Sequence, residues 1–105
     1  MANSEMQSLT RTGQVEVSGW DENGVFFVER SELDWGEYAG KQVTLSRMLS
    51  EGSIIFVRPL QPTATHRANP IPYEAEFVGC SPEGNHQFRL NGVQPRHNRE
   101  SYTVN

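Results

Sequence analysis

Cysteine is nearly absent from this 105-residue chain, with Cys80 as the single thiol. One thiol excludes an intrachain disulfide and any zinc module built from several cysteines. Long apolar runs are also missing. The longest, Ile54-Ile55-Phe56-Val57 among them, have four residues, whereas a helix needs ~20 to cross a bilayer. Residues 1–12 have neither a basic start nor an apolar stretch. No secretory signal is therefore expected there, no membrane partner is implied, and a cytoplasmic, reducing location is the default. Lysine occurs once, at Lys41, so the remaining cations are arginines. Guanidinium forks suit phosphate and carboxylate recognition better than ammonium groups do, although codon bias is the ordinary source of such a preference. Apolar residues make up only 35% of the chain, and the mean hydropathy is −0.62. Part of the chain is therefore expected in tails or long loops.

What is present points to β structure. Nine glycines and six prolines argue against a helical bundle. The length allows one small domain with one core. The net charge of −4 disfavours broad binding to nucleic acid or anionic membranes. That charge is uneven: residues 1–52 hold nine acids and four bases, residues 53–105 four acids and five bases.

Residues 14–20 alternate, with Val15 and Val17 on one face and Glu16 and Ser18 on the other, which predicts a half-buried strand. Asp21-Glu22-Asn23-Gly24 is a turn, and residues 25–29 return as the second arm of a hairpin. Residues 32–36 fit a strand, with a helical turn led by Ser31 as the competing assignment. Residues 42–46 and 53–60 are strands, the latter ended by Pro59. Residues 61–72 hold three of the six prolines and read as a long loop. Residues 73–80 alternate, with Tyr73, Ala75 and Phe77 on one side and Glu74 and Glu76 on the other, and residues 86–90 follow with Phe88 and Leu90 inward. The expected architecture is all-β, a small antiparallel β-barrel of six to seven strands over residues 13–93. Residues 1–12 and 94–105 are expected as tails.

The run Val17-Ser18-Gly19-x-Asp21-x-x-Gly24-x-x-Phe27-x-Glu29, followed by Gly40, Val43, Leu45, Leu49 and Gly52, resembles a PilZ-like domain. The likeness extends over residues 15–90. It implies a six-stranded barrel related to receptors for cyclic di-GMP. Those receptors use an Arg-x-x-x-Arg segment before the first barrel strand and an Asp/Asn-x-Ser-x-x-Gly turn. Both parts are degenerate here. Upstream of residue 14 the only arginine is Arg11, and the second motif reads Trp35-Gly36-Glu37-Tyr38-Ala39-Gly40. Gly40 remains, while Trp35 and Glu37 replace the polar pair, and Glu37 repels phosphate. The resemblance therefore implies a regulatory domain that does not bind cyclic di-GMP in the usual way.

Other groupings carry less. Trp20, Trp35 and Tyr38 would make a stacking platform for a base or sugar, but packing in the core or over the barrel end is the favoured assignment. Arg96 and Arg99 with Arg11, or Arg58 and Arg67 beside the long loop, are the candidate anion-binding residues. Nothing in the sequence separation of Cys80 and His86 suggests a pair. Glu74 and Glu76 share one strand face, ordinarily a solvated one. His66, His86 and His97 lack the spacing of metal ligands, so no metal and no cofactor is expected. No acid, base and nucleophile set emerges, so no enzymatic activity is expected. The expected partner is another protein, met through an exposed face, a free strand edge or the 61–72 loop. The alternatives are an atypical cyclic di-GMP receptor and, disfavoured by the acidic balance, a nucleic-acid-binding barrel.

Overall fold

The computed structural model describes residues 10–60 and 69–93. These form six strands: β1 (Thr10–Trp20), β2 (Phe26–Gly36), β3 (Gly40–Leu45), β4 (Ile54–Pro59), β5 (Ile71–Cys80) and β6 (His86–Gly92). They close into a barrel in the order β1-β2-β3-β6-β5-β4, and every neighbouring pair is antiparallel. The all-β barrel expected from the turn spacing is present. No helix among the described residues is long and apolar enough to cross a membrane.

Alternation builds the core. Val15 and Val17 of β1, Phe27 of β2, Val43 and Leu45 of β3, Ile55 and Val57 of β4, Ala75 of β5, and Phe88 and Leu90 of β6 are all buried. Leu49, in the connection after β3, is buried with them. Each large side chain among them contributes about 1.5–3 kcal/mol by leaving water. The inward sets foreseen on β1, β3 and β6 match this core. On β5, Phe77 keeps the parity of Ala75 and is the register partner of the buried Phe88, its ring edge-on at 5.7 Å, although it stands half exposed. The alternation breaks just beyond it, where a bulge between Phe77 and Gly79 inserts one residue and shifts the register.

Two boundaries also differ from expectation. β1 begins at Thr10, so residues 10–12, assigned to a tail, pair with Asp34, Trp35 and Gly36. β2 runs unbroken to Gly36, which replaces the competing helical turn at Ser31 with strand. Both follow from one fact: each arm of the hairpin supplies the other's hydrogen bonds over eleven register pairs. Residues 1–9, 61–68 and 94–105 lie outside the described residues, and with them the tails and most of the expected loop.

The β2–β3 ladder spans only Leu33↔Val43 to Gly36↔Gly40. Beyond it side chains bridge the strands. Ser31 Oγ donates to the Thr44 carbonyl at 2.8 Å. The Glu29 carboxylate accepts from the Ser46 N–H at 2.8 Å and from Ser46 Oγ at 3.0 Å. The turn after β1 is held by Asp21, whose Oδ1 accepts from the N–H groups of Asn23 and Val25, both at 2.9 Å. Arg47 donates to Asp21 Oδ2 at 3.2 Å and lies over the Phe27 ring, tying that turn to the β3–β4 connection.

Replacing Glu29 by Ala should lower the unfolding free energy by about 1–2 kcal/mol, because two seam bonds to a charged acceptor are lost. Urea denaturation measures it, and an unchanged midpoint would show that the seam is held elsewhere. Asp21 gives a pH signature. The Val25 N–H, then those of Asn23 and the Arg47 guanidinium, hold its carboxyl below the ordinary 3.8 against an opposing effect of burial. The unfolded carboxyl takes up its proton first as the pH falls. The stability from these bonds is therefore whole above the ordinary value and is lost as the pH drops through the lower folded value. Asp21→Asn should flatten that part of the acid-unfolding curve, and identical curves for the two proteins would refute the assignment.

Candidate functional site

Next to the β1–β2 turn, the outer surface over β2, β1 and β4 is apolar where a solvated sheet face is ordinarily polar. Register fixes the arrangement. Trp20 on β1 is paired with Phe26 on β2. Ser18, one step along the same face, lies between Val28 on β2 and Phe56 on β4. Phe56 in turn is paired with Pro72 on β5. Continuing that register places Ile54 beside Trp20. Gly19 permits the approach of the two strands, since a Cβ there would meet Ile55 Cγ2 at 3.1 Å and the Ile54 carbonyl at 3.4 Å. The five large side chains Trp20, Phe26, Val28, Ile54 and Phe56 are between 38% and 55% exposed. The Trp20 and Phe26 rings meet edge to face at 5.1 Å.

A charged row bounds this patch. Glu16 is the register partner of Arg30 on one side and of Arg58 on the other. Arg58 donates through Nε at 3.1 Å and NH2 at 2.8 Å to one Glu16 carboxylate oxygen. An apolar centre with a polar edge is the anatomy of a protein interface. Scattered exposed apolar residues need no explanation, but a contiguous patch does.

Of the expected anion-binding residues, Arg58 has its side chain described. Arg58 is engaged by Glu16. Arg11 supplies backbone to β1 opposite Trp35, and Arg67, Arg96 and Arg99 lie outside the described residues. The motif remnant lies at the far end of the hairpin. Glu37, Tyr38 and Ala39 form the turn between Gly36 and Gly40, which Gly40 closes in the left-handed region at φ 76°. Six residues of β1 separate that end from the Glu16–Arg58 row, about 20 Å at 3.3 Å per residue.

The three aromatic residues considered for a platform, and more readily for the core, are neither together nor buried. Trp20 is on the outer face. Tyr38 is 92% exposed in the turn. Trp35 is half exposed, and the Lys41 ammonium lies 4.9 Å from its ring and 5.2 Å from that of Tyr73, while donating to the Tyr73 hydroxyl. Two ends of one eleven-residue hairpin cannot form a single stacking surface, which is the physical reason the platform fails.

A pocket of about 630 Å³ opens between the β3–β4 connection and β5, floored by Phe88 and walled by Glu51, Glu74 and Glu76. Hydrogen bonds from Asn91 and then Arg89 hold the Glu76 carboxyl below its ordinary value, and the Arg89 guanidinium pairs with it at 3.2 Å. Among the described residues no group of three or more side chains is placed to hold a metal. Cys80 and His86, which sequence separation left unrelated, are register partners across the β5–β6 turn, with Sγ and Nδ1 4.0 Å apart.

The outer face left a readable signal that the alternation reading passed over. Val25-Phe26-Phe27-Val28 and Ile54-Ile55-Phe56-Val57 are unbroken apolar runs. A strand with one wet face alternates instead. No family model, no curated protein and no solved structure matches the chain.

The two faces of the sheet predict opposite responses to one chemical change. Val28→Thr keeps the β-branch on an exposed site and should alter stability by less than about 0.5 kcal/mol. Val17→Thr places a hydroxyl in the core and should cost about 1–3 kcal/mol. Thermal melts of the two variants measure the difference, and equal losses would mean that the outer face is not exposed.

Proposed function

We propose that this chain is a non-enzymatic, PilZ-like interaction domain of the cytoplasm. It meets a protein partner on the outer face of β2, β1 and β4 and does not bind cyclic di-GMP in the usual way. The observation that carries the reading is the contiguous exposed patch of Trp20, Phe26, Val28, Ile54 and Phe56. A few buried anchors, tryptophan prominent among them, carry most of the binding energy in protein interfaces, and Trp20 stands in this patch. Two further features support it over a nucleotide receptor. Arg58, the member of the candidate anion-binding set whose side chain is described, has its guanidinium on Glu16. The pocket beside β5 presents carboxylates, which repel a phosphodiester.

Two measurements test the reading. In an amide NMR titration of the full chain, cyclic di-GMP should leave the described barrel without localised, saturable shifts. A saturable set of shifts would overturn the reading in favour of the atypical receptor. A photo-activated cross-linking residue at Val28 in cells should give a protein adduct that is absent when the same residue stands at Gln87, on β6. Absence of an adduct at Val28 would remove the interaction assignment.

A further inference from the structure

We infer that Cys80 Sγ and His86 Nδ1 form a two-donor site for monovalent copper at the β5–β6 turn. The site lies on other strands than the apolar face and is independent of it. Its first support is the β5 bulge. Phe77 and Phe88 are register partners, and His86 keeps the parity of Phe88 two residues earlier on β6. In an unbroken strand Gly79 would stand opposite His86, and Cys80 would fall on the other parity. The bulge instead pairs Gly79 with Gln87 and Cys80 with His86. Gly79 takes φ 150° there, a conformation open to glycine and rare for other residues. Bulges re-aim side chains in this way, and this one aims the single thiol of the chain at an imidazole.

The backbone under the pair is held on both sides. The Ser81 N–H donates to the Asn85 carbonyl at 2.8 Å and the Gly84 N–H to the Ser81 carbonyl at 2.9 Å, while Ser81 Oγ accepts from the Asn85 N–H at 3.1 Å. His86 is also paired with Leu45 on β3, and the Phe77 ring lies beside its imidazole at 6.2 Å. Cys80 is exposed and His86 half-buried, so an ion has a path from solvent.

The separation suits a bridging ion. With bond lengths of about 2.3 Å to sulfur and about 2.0 Å to imidazole nitrogen, those of zinc, an ion between atoms 4.0 Å apart subtends an angle of about 135° at the metal. Opening the pair by a few tenths of an ångström brings the two bonds into line. Zinc prefers four donors in a tetrahedron, and among the described residues no third ligand joins the pair. Monovalent copper is soft, favours thiolate and accepts imidazole, and its filled d shell is satisfied by two donors near a straight line. Binding releases the Cys80 thiol proton to solvent and uses the Nδ1 lone pair of the neutral ring, whose proton is then on Nε2.

Copper(I) titration of the full 105-residue chain, without oxygen and against a chromophoric copper(I) chelator, tests the inference. The protein should withdraw one equivalent. Cys80→Ser should abolish the transfer. His86→Ala and His86→Gln should each weaken it at least about tenfold, since even an outer-shell partner of a ligand costs that much. Unchanged circular dichroism shows that the variants keep the barrel. Nitrogen NMR of the imidazole should show Nδ1, not Nε2, responding to copper, and the sedimenting mass should stay at the 11.9 kDa of one chain. Zinc offered in the same way should be held far more weakly. Histidine variants that bind copper as tightly as the wild type would show a thiolate acting alone and overturn the site. A doubled mass, a response at Nε2, or zinc held as tightly as copper would overturn it equally.

Discussion

Four register pairs between β1 and β4 close the barrel: Val15↔Pro59, Glu16↔Arg58, Val17↔Val57 and Ser18↔Phe56. This ladder is short and its strands are distant in sequence, and everything else in the fold depends on it. Its inward members, Val15, Val17 and Val57, belong to the core. Its outward members set Phe56 beside Ser18 and Arg58 on Glu16. Without this closure β4 and β5 would be detached from the long hairpin. The inward valines would then lose their cover, and the outward apolar residues would not form a patch. Core and candidate interface are therefore two sides of the same hydrogen-bonded ladder.

Closure also changes which kind of interaction is available. A free strand edge offers unpaired backbone groups to another chain, and one route to a partner was expected to use it. In the closed order β1-β2-β3-β6-β5-β4, each strand has neighbours on both sides along at least part of its length. What the barrel offers instead is side chains on a face. Side-chain docking depends on apolar area and charge placement rather than on backbone pairing, and a contiguous apolar patch lies on β2, β1 and β4.

Polar groups serve the fold where the ladder fails. Glu29 and Ser31 stand where β2 and β3 have parted, and their side chains take over the work of the missing backbone bonds. Asp21 does the same for the first turn, with Arg47 joining the two regions. Glu29 and Asp21 are also members of the run on which the PilZ-like resemblance rests. Their placement gives that run a structural reason of its own: a carboxylate at each position satisfies backbone N–H groups that the strands leave unpaired.

Much of the local structure was legible in the sequence. Alternation at Val15 and Val17, at Val43 and Leu45, and at Phe88 and Leu90 identified inward faces correctly, because a strand's side-chain period is two and the core lies on one side. Turn chemistry at Asp21–Gly24 located the first hairpin. Three things were not legible. The bulge that breaks the alternation after Phe77 leaves no compositional mark. Strand length was underestimated at Thr10 and through Ser31, because pairing with a partner, not propensity, extends a strand. The relations Glu16–Arg58 and Cys80–His86 require a register that no spacing encodes. The sequence alone determined that the chain alternates, turns often and lacks the thiols and long apolar runs of other classes. Only the tertiary structure decided that the second apolar parity of β2 and β4 meets Trp20 on one surface, because barrel closure is a long-range event and its register is set by all six strands together.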